Sequence, residues 1–160
     1  MAETRSLEPE EWDFWDTWRH AQHLLARELE RSLQRDAGIS KAEFSVLVTL
    51  EQAPGREMRV GELVEALAWE KSRVSHLLTR METRGLVQRA ESAGGRRTRI
   101  GLTAEGGRVA QTAVLVHAAN IRRHFLDQLT LEQIAAIRAW SEQTVDRIEP
   151  RCDTAADGAA

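Results

Sequence analysis

The sequence predicts a mainly α-helical protein with one small β-hairpin. Apolar residues recur every three or four positions over long stretches, which is the period of an amphipathic helix. One segment beyond the middle of the chain instead alternates apolar and polar residues on both sides of a Gly-Gly pair, which is the pattern of a hairpin. A chain of 160 residues is long enough for one domain of ordinary size, so we expect a single domain over residues 1–160.

The composition predicts a soluble protein that works without a membrane. Hydrophobic residues make up 42% of the chain and charged residues 29%, which is ordinary for a globular domain, and no apolar run approaches the length of a membrane span. The N-terminal residues do not resemble an export signal, so a cytoplasmic location is expected. The single cysteine, Cys152, excludes an intrachain disulfide and a cysteine-cluster metal site, and we interpret it as an inert thiol.

The first helix is predicted from Pro9 to Ala37, with proline near its start and Gly38 just beyond its end. Its apolar stripe consists of Phe14, Trp18, Ala21, Leu25, Leu29 and Leu33. A helix of this length spans roughly 43 Å at 1.5 Å per residue, which is more than a small domain can cover. We therefore expect part of it to pack against a second chain.

Three shorter helices are predicted in the middle of the chain. Ser40 opens the first of them, because Glu43 lies three residues later and completes a capping box. The next helix runs from Val60 to Ala68. After a tight break a further helix extends from Lys71 to Arg84, and Gly85 supplies its C-terminal stop. The sequence thus predicts two helices joined by a short turn.

A β-hairpin follows, with its arms at Leu86–Glu91 and Thr98–Leu102. The tip between the arms holds two glycines beside Arg96 and Arg97. This composition predicts a hairpin that carries its positive charge at the tip.

Two further helices are predicted after the hairpin. Thr103 caps the first, which continues to about Gln128, and Thr130 caps the second with Gln133 three positions later. The apolar stripe of the last helix consists of Ile134, Ile137, Val145 and Ile148. The small and polar residues 151–160 are predicted to be disordered.

Basic residues are concentrated in the middle of the chain. From Met58 to Leu102 there are nine basic and five acidic residues, so this segment carries +4, which leaves -7 for the remainder of a chain whose total is -3. A local excess of positive charge is the electrostatic requirement for binding nucleic acid. The net charge alone conceals this excess.

The helix from Lys71 to Arg84 has the features of a DNA-reading helix. A helix-turn-helix needs a supporting helix, a tight turn, and a second helix whose polar outer face enters the major groove. The inward side chains are Val74, Leu77, Leu78 and Met81, and the outward side chains are Ser72, Arg73, Ser75, His76, Thr79 and Arg80. Arginine can bridge guanine O6 and N7, and hydroxyl and imidazole groups can bond to bases or phosphates. We predict these outward residues as DNA contacts, with Lys71 on a phosphate; a solvated amphipathic helix is the alternative for this segment alone.

Three sequence blocks carry a resemblance to a known family. They are VGELVEALA at residues 60–68, WEKSRVSHLLTRMETRGLV at residues 69–87, and GGRRTRIGLT at residues 94–103, followed by Gly106. Together they closely resemble the winged helix-turn-helix of MarR regulators, and the flanking helices extend the resemblance over roughly residues 10–149. The WEKSR opening is similar to that of an actinobacterial-style subgroup.

The resemblance implies a homodimeric transcriptional regulator that binds a pseudo-palindromic operator in double-stranded DNA. Residues 9–37 and 104–149 are then the dimerisation helices, and residues 40–102 form the winged DNA-binding lobe. The excess apolar surface of the long helices independently favours a dimer. The resemblance further implies that binding blocks transcription, and that a small-molecule effector in the cleft between the dimer body and the lobe changes the spacing of the lobes.

The resemblance also assigns roles to the arginines of the hairpin. The family's wing arginine corresponds to Arg96 and is implied to enter the minor groove, while Arg97 and Arg99 are placed for phosphates. The family often has an acidic residue two positions before that arginine, whereas this chain has Gly94. Any carboxylate that orients Arg96 must therefore come from elsewhere.

Two other classes of function remain as alternatives, and an enzyme is not expected. The chain has no Gly-rich phosphate loop or nucleophile elbow, and its histidines are scattered along the sequence. They are His20, His23, His76, His117 and His124. The shared helix face of His20 and His23 leaves a metal-sensing regulator open, and a winged-helix module that binds protein is the other alternative. No cofactor or metal is predicted.

The tryptophans of the first helix suggest a place for an effector. Trp12, Trp15 and Trp18 are close in sequence, and Trp15 and Trp18 are candidates for the border of an effector site. The alternative interpretation is that these rings pack in the dimer interface.

Overall fold

The computed structural model of the chain describes residues 6–91 and 98–149, and the predicted fold class is confirmed. Its helices are α1 Pro9–Ser32, α2 Lys41–Gln52, α3 Val60–Leu67, α4 Lys71–Thr83, α5 Ala104–His124 and α6 Leu131–Ile148. Its strands are β1 Glu57–Arg59, β2 Val87–Glu91 and β3 Thr98–Leu102. In these two ranges, no helix combines the length and the hydropathy that a membrane span requires. Cys152 and the predicted disordered tail lie outside the described residues.

The first helix changes its geometry earlier than its sequence pattern predicts. Regular α-helix ends at Ser32, and Leu33–Ala37 form a π-helical turn before Gly38 adopts the left-handed conformation with φ of 66°. The Ser32 hydroxyl donates a hydrogen bond to Leu29 O at 2.8 Å, and such back-bonding disturbs a helix. Apolar periodicity continues through both kinds of turn, so it could not reveal the change.

The N-terminus of α2 forms as predicted. The Ser40 hydroxyl accepts a hydrogen bond from the Glu43 N–H, and the Glu43 carboxylate accepts the Ser40 N–H at 2.8 Å. Behind this cap, Val46, Leu47 and Leu50 are fully buried. The helix therefore supplies the floor on which the following elements pack.

The hairpin belongs to a three-stranded antiparallel sheet in the order β1-β3-β2. Both predicted arms are confirmed, with Val87 opposite Leu102, but the outer strand β1 was not predicted. Met58 of β1 lies opposite Ile100 of β3. Three residues with a single apolar side chain carry no detectable alternation, and β1 exists because β3 offers it a free edge.

One buried cluster joins α2, α3, α4, the sheet and the start of α5. Its members are Leu33, Ile39, Val46, Leu47, Leu50, Leu63, Val74, Leu77, Leu78, Met81, Leu86, Val87, Ile100, Ala110 and Ala113. All four side chains predicted to face inward from the fourth helix are in this list. The cluster holds α4 against α2 and leaves the other face of α4 outside.

The first turn of α5 lies directly against the residue that precedes β2. Thr103 N–H donates to Leu86 O at 3.2 Å, and the Thr103 hydroxyl donates to Gly85 O at 2.6 Å. A Cβ atom on Gly106 would lie 1.9 Å from Leu86 O, so only glycine fits this position. The hairpin is thereby attached to α5 by backbone contact.

The described residues form two compact units, with the boundary inside α5 between Ile121 and Arg122. In the second unit, α5 ends at His124 rather than near Gln128, because Phe125 leaves helical geometry and a 3-10 turn follows at Leu126–Gln128. Thr130 and Gln133 then form the predicted capping box of α6. The large apolar side chains that α6 leaves exposed are Leu131, Ile137, Trp140, Val145 and Ile148.

Candidate nucleic-acid interface

The turn between α3 and α4 fixes the orientation of α4. Ala68 ends α3 in the left-handed conformation with φ of 51°, and the Trp69 N–H donates to Val64 O at 3.3 Å. Glu70 is then the N-cap of α4 and makes no side-chain cap hydrogen bond. The two helices thus follow each other across a break of a few residues, as a helix-turn-helix requires.

The residues of α4 that were predicted to contact DNA are all exposed. They are Lys71, Ser72, Arg73, Ser75, His76, Thr79 and Arg80. Among the residues that the structure describes, the cations Lys71, Arg73 and Arg80 form no ion pair. Arg73 instead contacts an aromatic ring, with its Cζ 4.2 Å from the ring centroid of Trp69. This face therefore presents uncompensated positive charge.

Thr79 differs from its neighbours on α4 because its hydroxyl already has partners. It donates to Ser75 O at 3.1 Å and accepts from Arg89 Nη2 at 3.2 Å. Arg89 lies on β2, and its Nε is 3.5 Å from the Glu82 carboxylate. These contacts connect α4 to the hairpin.

Other arginines of the basic segment are compensated within the fold. Arg84 pairs with Glu43 and also donates to Gly38 O at 2.8 Å. Arg99, the only predicted hairpin contact among the described residues, has its Nε 2.8 Å from Glu57 Oε1. Among the described residues of the segment, the cations without an ion pair therefore lie on the outer face of α4.

The pKa of Glu43 is shifted by its partners, which include Arg84. Burial by itself raises the pKa of the Glu43 carboxyl, but hydrogen bonds from the Ser40 N–H, the Arg84 guanidinium and the Ser40 hydroxyl outweigh it. The net result is a pKa of Glu43 below its ordinary value. The carboxylate therefore stays ionised at neutral pH and ties the N-terminus of α2 to the C-terminus of α4.

A concave surface that encloses about 650 Å³ lies between α3, α4 and β2. Its polar lining consists of Arg59, Lys71, Arg89 and Ser75 together with the carboxylates of Glu62 and Glu65. Arg59 and Arg89 were not among the predicted contacts. The count of basic residues included both, but neither lies on the helix whose periodicity guided the prediction. Because Arg59 pairs with Glu62 and Arg89 pairs with Glu82, Lys71 is the cation of this surface that has no ion pair among the described residues, and it can contact a phosphate.

The predicted tip of the wing is outside the described residues. Arg96 and Arg97 fall in this segment, so their roles remain predictions. The strands that lead into it, β2 and β3, pair along their whole length on one side of α4.

A second cavity of about 430 Å³ lies between α1, α2 and α5. Its wall is mainly apolar, with Leu25, Leu29 and Phe44, and it includes His117 of α5. His117 Nδ1 is buried and has no hydrogen-bond partner within the described part of the chain. Burial, and secondarily the charge of Lys41, lower the pKa of His117. The imidazole is therefore a neutral polar group in an apolar cavity.

The tryptophans considered for an effector site lie elsewhere on α1. Trp15 and Trp18 contact each other with ring centroids 5.1 Å apart, and neither lines the cavity that contains His117. His20 and His23 are exposed on the same helix. The described residues contain no group of three or more His, Cys, Asp or Glu side chains that could hold a metal ion.

The supporting helix, tight turn, exposed polar helix and adjoining hairpin define a winged helix-turn-helix protein. The model of the MarR family matches residues 37–98. The transcriptional regulator HosA of Escherichia coli is 33% identical over 96 residues, which make up 59% of this chain and 69% of HosA. The chain belongs to the MarR family. Its family and fold are those of transcription regulators and not those of enzymes.

Two solved structures from Streptomyces coelicolor are similar over nearly the whole chain. AbsC, a MarR family transcriptional regulator, has a TM-score of 0.77 and 32% identity, with 91% of this chain and 98% of AbsC covered. Sco3205, another MarR family transcriptional regulator, was crystallised in complex with DNA. It has a TM-score of 0.79 and 32% identity, with 94% of this chain and 95% of that chain covered.

Proposed function

We propose that the protein is a sequence-specific, ligand-responsive transcriptional repressor that binds a pseudo-palindromic operator as a homodimer. The observation that carries the proposal is the outer face of α4, where Lys71, Arg73 and Arg80 are exposed without an ion pair among the described residues. The DNA complex of Sco3205 supports it by similarity. That both solved Streptomyces relatives are 32% identical also supports placing the chain in an actinobacterial-type subgroup.

In the proposed complex, α4 lies in the major groove. Arg73, Ser75 and His76 read base edges, because they are exposed on one side of the helix. Lys71 contacts a phosphate at the N-terminus of α4, where the helix dipole and the unbonded N–H groups favour an anion. Ser72, Thr79 and Arg80 complete the contacts of this helix.

The hairpin contributes the second set of contacts in this proposal. Arg96 enters the minor groove, and Arg97 and Arg99 hold phosphates. The ion pair of Arg99 with Glu57 leaves its guanidinium less positive charge to offer than an unpaired arginine has. We therefore expect Arg99 to contribute less to affinity than Arg73, which has no ion pair among the described residues.

The first prediction concerns the different roles of Arg73 and Arg96. Arg73→Ala should cost about 1–3 kcal/mol of operator binding and relax the preference at one base pair of each half-site. Arg96→Ala should weaken binding with less change in sequence preference, because minor-groove contacts distinguish bases poorly. In vitro selection of bound DNA, followed by binding titrations at several salt concentrations, measures both effects.

Arg138→Ala is the matched control, because it removes one exposed positive charge from α6, which contributes no residue to the proposed DNA contacts; sedimentation equilibrium confirms that the variant still dimerises. It should leave the operator affinity and the salt dependence unchanged. Operator binding by both test variants at the wild-type level would contradict the proposed docking. An absence of any salt-dependent DNA binding would instead favour a module that binds protein.

The homodimer is proposed from the apolar side chains that a single chain leaves exposed. On α6 these include Val145 and Ile148, with 53% and 72% of their surface exposed. Val145→Glu should weaken self-association at least about ten-fold, because a carboxylate would have to be buried without a partner. Gln143→Glu adds the same charge to α6 and should leave the dimer intact. Sedimentation equilibrium measures both, and equal dimer stability of the two variants would exclude this face from the interface.

The ligand response is proposed to use the cavity between α1, α2 and α5. A planar aromatic ligand with one polar group fits a mainly apolar cavity that contains an unpartnered neutral imidazole. His117→Phe should therefore reduce the release of operator by such ligands and keep the operator affinity. A panel of phenolic compounds, titrated into the protein–DNA complex, tests this. Equal release from wild type and variant would locate the effector elsewhere, and tryptophan quenching would then test the border at Trp15 and Trp18.

A further inference from the structure

The side chain of Arg73 lies over the indole ring of Trp69. The guanidinium carbon is 4.2 Å from the ring centroid, which is a cation–π contact. Trp69 is itself held in place. Its backbone N–H donates to Val64 O, and its partly buried ring packs against the hydrophobic core. A side chain on the exposed face of α4 is thus supported by a residue that belongs to the helix-turn-helix turn.

An aromatic ring orients an arginine differently from a carboxylate. Arg84, Arg89 and Arg99 are each oriented by an acidic side chain, which compensates their positive charge. Trp69 restricts the guanidinium of Arg73 without adding a negative charge. A guanidinium that stacks on a ring contacts it with its face, whereas its N–H donors lie in the plane and remain available. The charge and the donors that guanine requires are both retained.

We propose that Trp69 is a positioning residue for base reading by Arg73. Its ring selects the rotamers of Arg73 that point the guanidinium edge toward the base, so sequence discrimination depends on Trp69 although Trp69 touches no base. The inference rests on the proposed DNA-reading function of α4. It goes further by making the turn residue, and not only the helix face, a determinant of specificity.

The test is a double-mutant cycle that measures discrimination as well as affinity. Discrimination is the ratio of affinities for the selected operator and for the same operator altered at the base pair whose preference Arg73→Ala relaxes. Wild type, Trp69→Leu, Trp69→Phe, Arg73→Ala and the Trp69→Leu/Arg73→Ala double variant are compared on both duplexes and on an unrelated duplex. Thermal unfolding of each variant confirms that it is folded.

We expect Arg73→Ala to lower the ratio roughly ten-fold and Trp69→Leu to lower it about two- to five-fold. Trp69→Phe retains an aromatic face and should restore most of this loss. In the Arg73→Ala background, Trp69→Leu should have no additional effect on the ratio. Affinity for the unrelated duplex should be the same for wild type and Trp69→Leu.

Two outcomes would overturn the proposal. An unchanged ratio in Trp69→Leu would show that the ring does not orient Arg73, and an equal loss with and without Arg73 would show that Trp69 acts through the fold. If Arg73→Ala changes the sequence preference at no base pair, Arg73 does not read a base, and the proposed role of Trp69 is excluded with it. The last result is distinct from the other two, because it appears in the single Arg73 variant.

Discussion

Replacing Gly106 with alanine should lower the free energy of unfolding by at least about 3 kcal/mol, which is the upper range for an overpacked site. The added Cβ would lie 1.9 Å from Leu86 O, a backbone atom that cannot rotate away. Leu86 O is also the acceptor of the Thr103 N–H, so moving it would break that hydrogen bond. Urea denaturation at a fixed protein concentration measures the change, because the proposed dimer makes stability depend on concentration.

Gly61→Ala is the control for this prediction. Gly61 lies in α3, its φ is not positive, and a Cβ there would meet nothing within 4 Å. Alanine should therefore leave stability unchanged or raise it by about 0.5–1 kcal/mol, since it restricts the unfolded chain more than glycine does. Similar unfolding free energies for the two variants would show that α5 does not approach Leu86 as closely as the structure has it.

Replacing Glu43 with glutamine should cost about 2–3 kcal/mol at pH 7, in the range of hydrogen bonds to charged groups. One carboxylate oxygen accepts the Ser40 N–H and hydroxyl, and the other accepts Arg84. A glutamine amide has one oxygen and one NH2 group, so either Ser40 or Arg84 would face a donor instead of an acceptor. Chemical denaturation of wild type and variant across a pH series measures the cost.

The same experiment has a defined pH dependence. Because the pKa of Glu43 is lowered in the folded state, its ionised form adds stability above the carboxyl's ordinary value of 4.5. This contribution is lost as the pH falls through the lowered pKa. The difference between wild type and Glu43→Gln should therefore be constant near neutrality and shrink in the acid range.

Glu105→Gln is the matched control, because its carboxylate also pairs with an arginine, Arg108, but on the surface of α5. The hydrogen bond from Arg108 lowers the pKa of Glu105 as well. Solvent screens an exposed pair, so we expect no measurable loss of stability at pH 7. A Glu43 variant as stable as this control would show that the link between α2 and α4 is not energetically significant.

The sequence was most informative where local chemistry decides the structure. The capping boxes at Ser40 and Thr130 form as predicted, because each needs only residues three positions apart. The apolar face of α4 was also predicted fully, since helical periodicity determines it. By contrast, β1 depends on pairing with β3, some forty residues further along the chain, and three residues cannot reveal that.

The charge pattern predicted the segment that carries the candidate interface but not the partners within it. Glu43 and Glu57 lie outside or at the edge of the basic segment, and yet they compensate Arg84 and Arg99. The contact between Trp69 and Arg73 has a local signal, since the two residues are four positions apart. No local sequence signal predicts the contribution of Arg59 and Arg89 to the concave surface, because α3, α4 and β2 meet there only in the folded chain.

The contacts of Arg89 with Thr79 and Glu82 have a mechanical consequence for regulation. They attach β2 to the C-terminal half of α4, so we expect α4 and the paired strands of the hairpin to move together. In the proposed regulator, a ligand that moves α4 would therefore move the base of the hairpin with it. Each half of the proposed operator would then be bound or released as a whole. The distance between the two α4–hairpin units of the dimer would be the quantity that a ligand changes.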